Sequence, residues 1–273
     1  IRTAAPSCPA GGPTLRPMTP ETPVLTERRD NVLLITLNRP DQRNAVNGAL
    51  ADGVAAALDE LDADDGLTIA VLTGAGKGFC SGMDLGAFAA GERPWHAERG
   101  FAGIVQKPPR KPIIAAIEGF AVAGGLEVAL ACDLIVAAAG AKLGVPEVKR
   151  SLVAAGGALL RLPRRLPAGV AMELALTGDP ISAERAYDLG LVNRVADPGS
   201  AVDVALELAA GIARNGPLAV AATKTILNEQ WDWAEEDFWH RQGEISGPVL
   251  VSEDAREGAV AFKEKRDPVW KGR

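Results

Sequence analysis

Apolar residues along this 273-residue chain follow two rhythms, and the change from one to the other divides it into regions of different build. Val32, Leu33, Leu34, Ile35 and Leu37 form a tight apolar run, and Thr68–Thr73, Pro112–Ile117 and Leu134–Ala137 are runs of the same kind. Runs this short, rich in β-branched residues and bounded by turn formers, predict buried strands. Between them, Val46, Leu50, Val54, Leu58 and Leu61 recur at steps of four and three, which predicts an amphipathic helix ending before Gly66. Leu126–Cys132 predicts a shorter, almost wholly apolar helix. From about Ser200 the pattern is helical throughout, over Ala201–Asn215, Pro217–Gln230, Trp233–Ser246 and Ser252–Lys265. Pro217 suits a first helical turn, and Ser252 with Asp254 suits a helix start.

Strands alternating with helices point to an α/β fold of stacked ββα or βαβ units. The expected organisation is a mixed core over 24–198 and a helical region over 199–273. Residues 1–23 hold six prolines and the Gly11-Gly12 pair. Such a segment has too little apolar surface to offset the entropy of ordering, and a disordered tail is expected there.

Charge and cysteine content narrow the function classes. Lys and Arg number 29 against 35 Asp and Glu, a net charge of −6 with no basic run, which argues against a nucleic-acid or anionic-membrane surface. Cys8, Cys80 and Cys132 are far apart and form no metal-ligand spacing, as in a reduced, cytoplasmic compartment. The longest apolar stretch, Ile113–Ala139, is broken by Glu118, Glu127 and Asp133, so neither a membrane span nor a secretory signal is expected.

Candidate chemistry concentrates in the apolar half of the chain. Glu127 is the only ionisable group on the predicted Leu126–Cys132 helix. A buried carboxylate is costly, so it pairs with an Arg, emerges at a helix end, or stays protonated for chemistry. Gly124 and Gly125 precede it, where unpaired amides at a helix start can receive a ligand oxygen, though a glycine pair also serves a tight helix–strand crossing. Glu147 follows Pro146, which stiffens the turn carrying it; a solvent-facing first-turn glutamate reads the same way. Met83, in Gly78-Phe79-Cys80-Ser81-Gly82-Met83-Asp84-Leu85, can offer a second backbone donor, with Asp84 as a helix cap. Cys80 or Ser81 as a nucleophile would need a base, and His96 and His240, the only histidines, stand in no recognisable motif. Gly74-Ala75-Gly76-Lys77-Gly78 follows a strand but fits no nucleotide-binding fingerprint.

In order, Arg43-Asn44-Ala45-Val46, the Gly78–Leu85 segment, Gly119, Gly124-Gly125-Leu126-Glu127, Pro146-Glu147, Leu176-Thr177-Gly178, Ala186 with Leu189–Val192, and Phe262-x-Glu264-Lys265 resemble the crotonase, or enoyl-CoA hydratase, superfamily over roughly residues 24–266. That resemblance implies a crotonase-like spiral of ββα units, a helical C-terminal trimerisation region, and a homotrimer or dimer of trimers. It implies an acyl-CoA thioester substrate whose carbonyl oxygen is held by the Met83 and Gly124 amides. Glu127 and Glu147, twenty residues apart as in the hydratases, become the acid–base pair. Arg43, Lys77, Phe262 and Lys265 become candidates for holding coenzyme A, the last two reaching a neighbouring subunit's site. No metal, flavin or nicotinamide is implied.

The activity this favours is hydration of a 2-enoyl-CoA. Isomerisation, dehydration of an unusual hydroxyacyl-CoA, C–C cleavage and acyl-CoA binding without turnover are the alternatives. One segment departs from the pattern: after Glu147 the hydratases carry a glycine, a proline and a glycine-rich turn, whereas here Val148–Ala155 precedes Gly156-Gly157 and Ala154 replaces the usual proline. Ala87–Val105, with Pro94, Trp95 and His96, is the expected acyl-chain lid.

Overall fold

Alternate residues of one six-stranded sheet feed two separate cores. The computed structural model describes residues 22–273. The chain begins with an antiparallel hairpin of β1 (Val24–Arg29) and β2 (Val32–Leu37), then α1 (Gly48–Ala63), capped by the Asn47 side chain accepting from the Leu50 amide at 3.0 Å. Next come β3 (Ile69–Gly74), α2 (Leu85–Ala89), and a small hairpin of β4 (Trp95–His96) and β5 (Gly100–Phe101). The centre is β6 (Ile113–Ile117), β7 (Phe120–Val122), α3 (Gly124–Ala131), β8 (Leu134–Ala138) and β9 (Lys142–Gly144). After it follow α4 (Ala158–Arg165), α5 (Ala168–Thr177), β10 (Ile181–Ser182), α6 (Ala183–Asp188) and β11 (Arg194–Ala196). Four helices close the chain: α7 (Ala201–Ala213), α8 (Pro217–Glu229), α9 (Phe238–Leu250) and α10 (Glu253–Glu264).

The main sheet has the order β1-β2-β3-β6-β8-β11, parallel from β2 onward. Its interior parallel strands β2, β3, β6 and β8 are buried on both faces, which is why they read as continuous apolar runs. Leu33, Ile35, Ala70, Leu72, Ile113, Ala115, Ile135 and Ala137 point into the larger core with α1 and α3. Their neighbours Val32, Leu34, Ile69, Val71, Ile114, Ala116, Val136 and Ala138 point the other way, against Ala201, Ala205 and Ala209 of α7. Three alanines four residues apart give that helix a flat stripe that lies close on the sheet. Glu118 accepts from the amides of Gly199 and Ala201 at 3.1 and 3.0 Å, capping α7 from the end of β6.

Three central strands each turn a corner into a short second segment before a helix or turn begins. β6 leads to β7 and α3; β8 leads to β9 and a 3-10 turn at Pro146–Arg150; β3 leads to Cys80, which bridges Ala121, and then to α2. The short segments form a second sheet, β10-β9-β7. This is the stacked ββα arrangement expected from the sequence, and it brings the starts of α2 and α3 and the Pro146 turn together.

Some elements differ from expectation. β1 is exposed on five of its six positions, so it shows no apolar run and was not predicted. Thr22 and Pro23, expected within a disordered tail, accept hydrogen bonds from Asn38 at 3.0 and 2.8 Å; the rest of that tail lies outside the described residues. α3 starts at Gly124 rather than Leu126. α9 starts at Phe238 rather than Trp233, because 3-10 turns occupy Gln230–Asp232 and Glu235–Asp237, and three acidic residues precede the helix where its dipole favours them. α4 and α5 escape the periodicity reading: α4 carries Pro163 and buries only Ala158 and Leu162 of its eight residues, which leaves little apolar pattern.

Candidate active site

Glycine against glycine sets the geometry of the site. A Cβ on Gly82 would lie 2.9 Å from the Gly124 backbone nitrogen and 2.9 Å from Ala123 Cβ, and Gly82 has φ of +96°. Only glycine permits both the left-handed backbone and that approach. The result sets the Met83 and Gly124 amides beside one another. Neither donates to a partner among the described residues: the Val46 amide donates instead to the Gly82 carbonyl and the Val46 carbonyl accepts from the Asp84 amide, leaving Met83 N–H free. Gly124 is the first residue of α3, where amides have no intrahelical acceptor. The residue before it, Ala123, has φ of +52° and ψ of −133°, a strained conformation held by its amide bonding to Gly144 O at 2.9 Å. Gly125 is a packing glycine, since a Cβ there would collide with the Cys80 carbonyl.

Both amides open onto a cavity of about 680 Å³. Glu127 and Glu147 line it too, with Arg43 at its edge and Leu85, Phe88, Trp95, Phe101, Leu152 and Val153 among its apolar walls. Glu127, one turn into α3, is 4% exposed. Its Oε1 accepts from the Ala158 amide at 3.1 Å, and Gly156 lies so close to the other oxygen that a side chain there would strike it. No Lys or Arg forms an ion pair with it among the described residues, so the paired-carboxylate reading does not hold. Burial raises its pKa above the ordinary 4.5, the Ala158 amide opposes the shift, and the nearby Glu147 charge adds to it.

Glu147 sits in the first turn of the Pro146–Arg150 3-10 segment. Its Oε2 is buried without a hydrogen-bond partner among the described residues. Burial raises its pKa as well, against a lowering contribution from its own backbone amide. Two carboxyl groups that both resist ionisation, sharing a cavity with two unpaired donors, can hold and move a proton beside a bound carbonyl.

The nucleophile reading fails on geometry. Cys80 is fully buried, and that burial pushes its thiol up to about 12. Ser81 lines the cavity but has no histidine near it: His96 Nδ1 accepts the Glu98 and Arg99 amides in the β4–β5 turn, and His240 is exposed on α9. The Ala87–Val105 segment supplies Phe88, Trp95 and Phe101 to the cavity wall. It is pinned to α1 by buried Arg99, which donates to Asp59 at 2.6 Å and to the Lys107 carbonyl.

Of the sequence candidates, the cavity gathers Met83, Gly124, Glu127, Glu147 and Arg43. Lys77, Phe262 and Lys265 are exposed and do not line it within a single chain; Phe262 is 88% exposed. Sequence reasoning missed Arg39, and gave Asn44 no role beyond its place in the Arg43–Val46 motif. Asn44 is fully buried with φ of +55°; it accepts from the Arg39 amide and donates to the carbonyls of Ala75 and Gly78 at 2.9 Å, tying the turn after β2 to the turn after β3. A polar residue in the sequence gives no sign that it will be buried.

Spiral ββα turns, a paired-glycine amide site and two unpaired carboxyl groups define an acyl-thioester enzyme of the crotonase type. The enoyl-CoA hydratase/isomerase family matches residues 27–273, and the chain belongs to that family. It is 42% identical to a carnitinyl-CoA dehydratase of Salmonella arizonae, over 90% of this chain and 97% of that protein. It is 40% identical to the enoyl-CoA hydratase EchA19 of Mycobacterium tuberculosis, over 91% and 96%. Among solved structures, the enoyl-CoA hydratase EchA1 of Mycobacterium marinum superposes with a TM-score of 0.91 at 56% identity, covering 93% of this chain and all of that one. A carnitinyl-CoA hydratase of Mycobacterium avium gives 0.75 at 46% identity with the same coverage. Among the described residues no helix is long and apolar enough to cross a membrane.

Proposed function

We propose that the protein adds water across the 2,3 double bond of an enoyl-CoA thioester. The observation that carries this reading is the convergence of two partnerless backbone donors and two carboxyl groups of raised pKa on one largely apolar cavity. The thioester oxygen accepts from the Met83 and Gly124 amides. As water attacks Cβ, electron density moves onto that oxygen, and each preorganised donor stabilises the enolate-like charge by about 3 kcal/mol. Ionised Glu127 takes the proton from the attacking water, and protonated Glu147 gives its proton to Cα. The new bonds are O–Cβ and H–Cα, and one proton passes from Glu147 to substrate while another reaches Glu127. The step needs one carboxyl ionised and one neutral; burial raises both pKa values and repulsion disfavours double ionisation, so the pair shares one proton, which must stand on Glu147 when water attacks. Every group in this scheme belongs to the chain or the substrate, so coenzyme A enters only as part of the substrate.

Dehydration of a 3-hydroxyacyl-CoA is the same path reversed, and the carnitinyl-CoA dehydratase relative supports it as the second reading. Arg43 at the cavity edge is placed for a coenzyme A phosphate. Phe262, Lys265 and Lys77 would serve from the surface, the first two across a subunit boundary in a trimer or dimer of trimers. Exposed Leu152, Val153, Met172 and Leu176 supply apolar surface for such association; light scattering that finds a monomer would refute it. Purified protein mixed with crotonyl-CoA and longer enoyl-CoAs should bleach the conjugated thioester absorbance. Absence of turnover with every chain length, in both directions, would refute the reaction.

A further inference from the structure

The Met83 amide is fixed from behind by an ion pair that does not itself meet the cavity on both sides. Asp84, the next residue, lines the cavity and caps α2, its Oδ1 accepting from the amides of Gly86 and Ala87 at 3.1 and 3.0 Å. Its Oδ2 pairs with the Arg39 guanidinium at 2.9 Å, both side chains being less than a fifth exposed. The other arm of Arg39 donates to the Ala45 carbonyl, and the Arg39 amide bonds to Asn44. Between these anchors, Val46 holds Gly82 O at 2.8 Å and accepts the Asp84 amide at 2.9 Å. Met83 is thus clamped on both flanks by groups that converge on one guanidinium, which stands outside the cavity lining.

This arrangement has an electrostatic consequence. The carboxylate of Asp84 is attached one residue from the amide that would receive developing negative charge. Uncompensated, it would repel that charge through a partly dehydrated path, where charges interact more strongly than in water. Arg39 cancels it and aims the peptide at once.

Resting on the hydratase reading above, we propose that Arg39 and Asp84 are positioning residues for the Met83 oxyanion donor, with Arg39 holding the Gly82–Met83 peptide in place and neutralising the carboxylate beside it. The role predicts a pattern of rescue. Arg39→Met leaves Asp84 unpaired and should lower kcat about 10- to 100-fold, the range expected when a catalytic group is displaced by up to 1 Å, with KM little changed. Asp84→Asn keeps an oxygen to cap α2 while removing the charge. Placed in the Arg39→Met background it should recover part of the lost rate, and Arg39→Lys should keep most of it.

The test measures kcat and KM for wild type, Arg39→Met, Arg39→Lys, Asp84→Asn and the Arg39→Met/Asp84→Asn double variant. Alongside, it records the absorbance of a bound, slowly reacting aryl-conjugated enoyl-CoA, whose red shift reports polarisation of the thioester carbonyl by the amide donors. Thermal midpoints of the same proteins separate fold from site. The proposal requires a smaller red shift in Arg39→Met, partly restored in the double variant. An Arg39→Met protein with the wild-type red shift and kcat overturns it, as does a double variant that recovers thermal stability but not red shift. Should Arg39→Met not fold, Asp84→Asn alone decides: without the charged partner that holds Arg39 it should lose both rate and red shift, and wild-type values of both in Asp84→Asn would overturn the proposal. Wild-type protein showing neither red shift nor turnover would instead indict the hydratase reading itself.

Discussion

The two walls of the cavity are made by opposite means. One, from Gly78 to Met83 and from Ala123 to Glu127, consists of backbone brought into contact through glycine, with buried side chains holding it from behind. The other, from Leu85 to Phe101 and at Leu152 and Val153, consists of apolar side chains that, apart from buried Phe101, are largely exposed: Leu85, Phe88, Trp95, Leu152 and Val153 all keep more than two fifths of their surface. The first wall has few alternative conformations, as a site for charge stabilisation needs. The second can change shape residue by residue at small cost. On the proposed reaction, charge stabilisation would fall to the first wall and substrate choice to the second, with Glu147 lining the same cavity.

The largest test of that division is at the carboxylates. Glu127→Gln and Glu147→Gln should each lower the hydration rate by about 10²- to 10⁴-fold, the usual contribution of a positioned acid or base, with circular dichroism unchanged. If one substitution proves nearly silent, the acid–base work is not shared between the two glutamates. The next largest is at the glycine contact. Gly82→Ala would place a methyl 2.9 Å from the Gly124 nitrogen and should cost about 10²-fold in kcat, comparable to losing an oxyanion donor, measured by steady-state kinetics with the thermal midpoint as control.

Titration gives a third test. Both glutamates have pKa values raised above 4.5, chiefly by burial. The native state therefore binds protons more tightly than the unfolded chain at these positions. Their stabilising contribution is fully present below the unfolded pKa and is lost as pH rises through the folded values. Relative to wild type, Glu127→Gln should accordingly gain thermal midpoint as pH is raised from below 4.5 towards neutrality. The rate should follow a bell, falling on the acid side as the glutamate pair takes up a second proton and on the alkaline side as it loses the shared one. A difference in thermal midpoint independent of pH would contradict the assignment of raised pKa to Glu127.

The smallest effects belong to the apolar wall. Phe88→Ala and Val153→Ala should change KM by several-fold, in a manner dependent on acyl-chain length, with a smaller change in kcat for the shortest substrate. A methylene in an apolar pocket is worth about 1–3 kcal/mol, so long chains should feel the change most. Equal effects on all chain lengths would place these side chains outside the acyl path.

The same contrast explains what the sequence revealed. The interior strands and α1 were legible because burial on both faces or on one stripe writes directly into apolar spacing. Glu127 stood out as a lone charge on an apolar helix, and Met83, Gly124 and Glu147 became interpretable through ordered motifs. β1 was invisible because an exposed edge strand needs no apolar run. Arg39 went unmarked, and Asn44 was noted only as part of a motif without a role, for another reason. Their importance comes from contacts to carbonyls and to a carboxylate 45 residues away, and no local pattern marks those. Arg43 was placed at the cavity, whereas Lys77, Phe262 and Lys265 are on the surface of the single chain, where only an assembled or ligand-bound form can test them.

The most direct test of the central claim is to incubate the protein with crotonyl-CoA in water enriched in heavy oxygen and follow the products by mass spectrometry, with Glu127→Gln and Glu147→Gln run in parallel. The account predicts a 3-hydroxyacyl-CoA heavier by one labelled water, formed rapidly by wild type and barely by either variant. A product of unchanged mass, or labelled product formed equally by all three proteins, would contradict it.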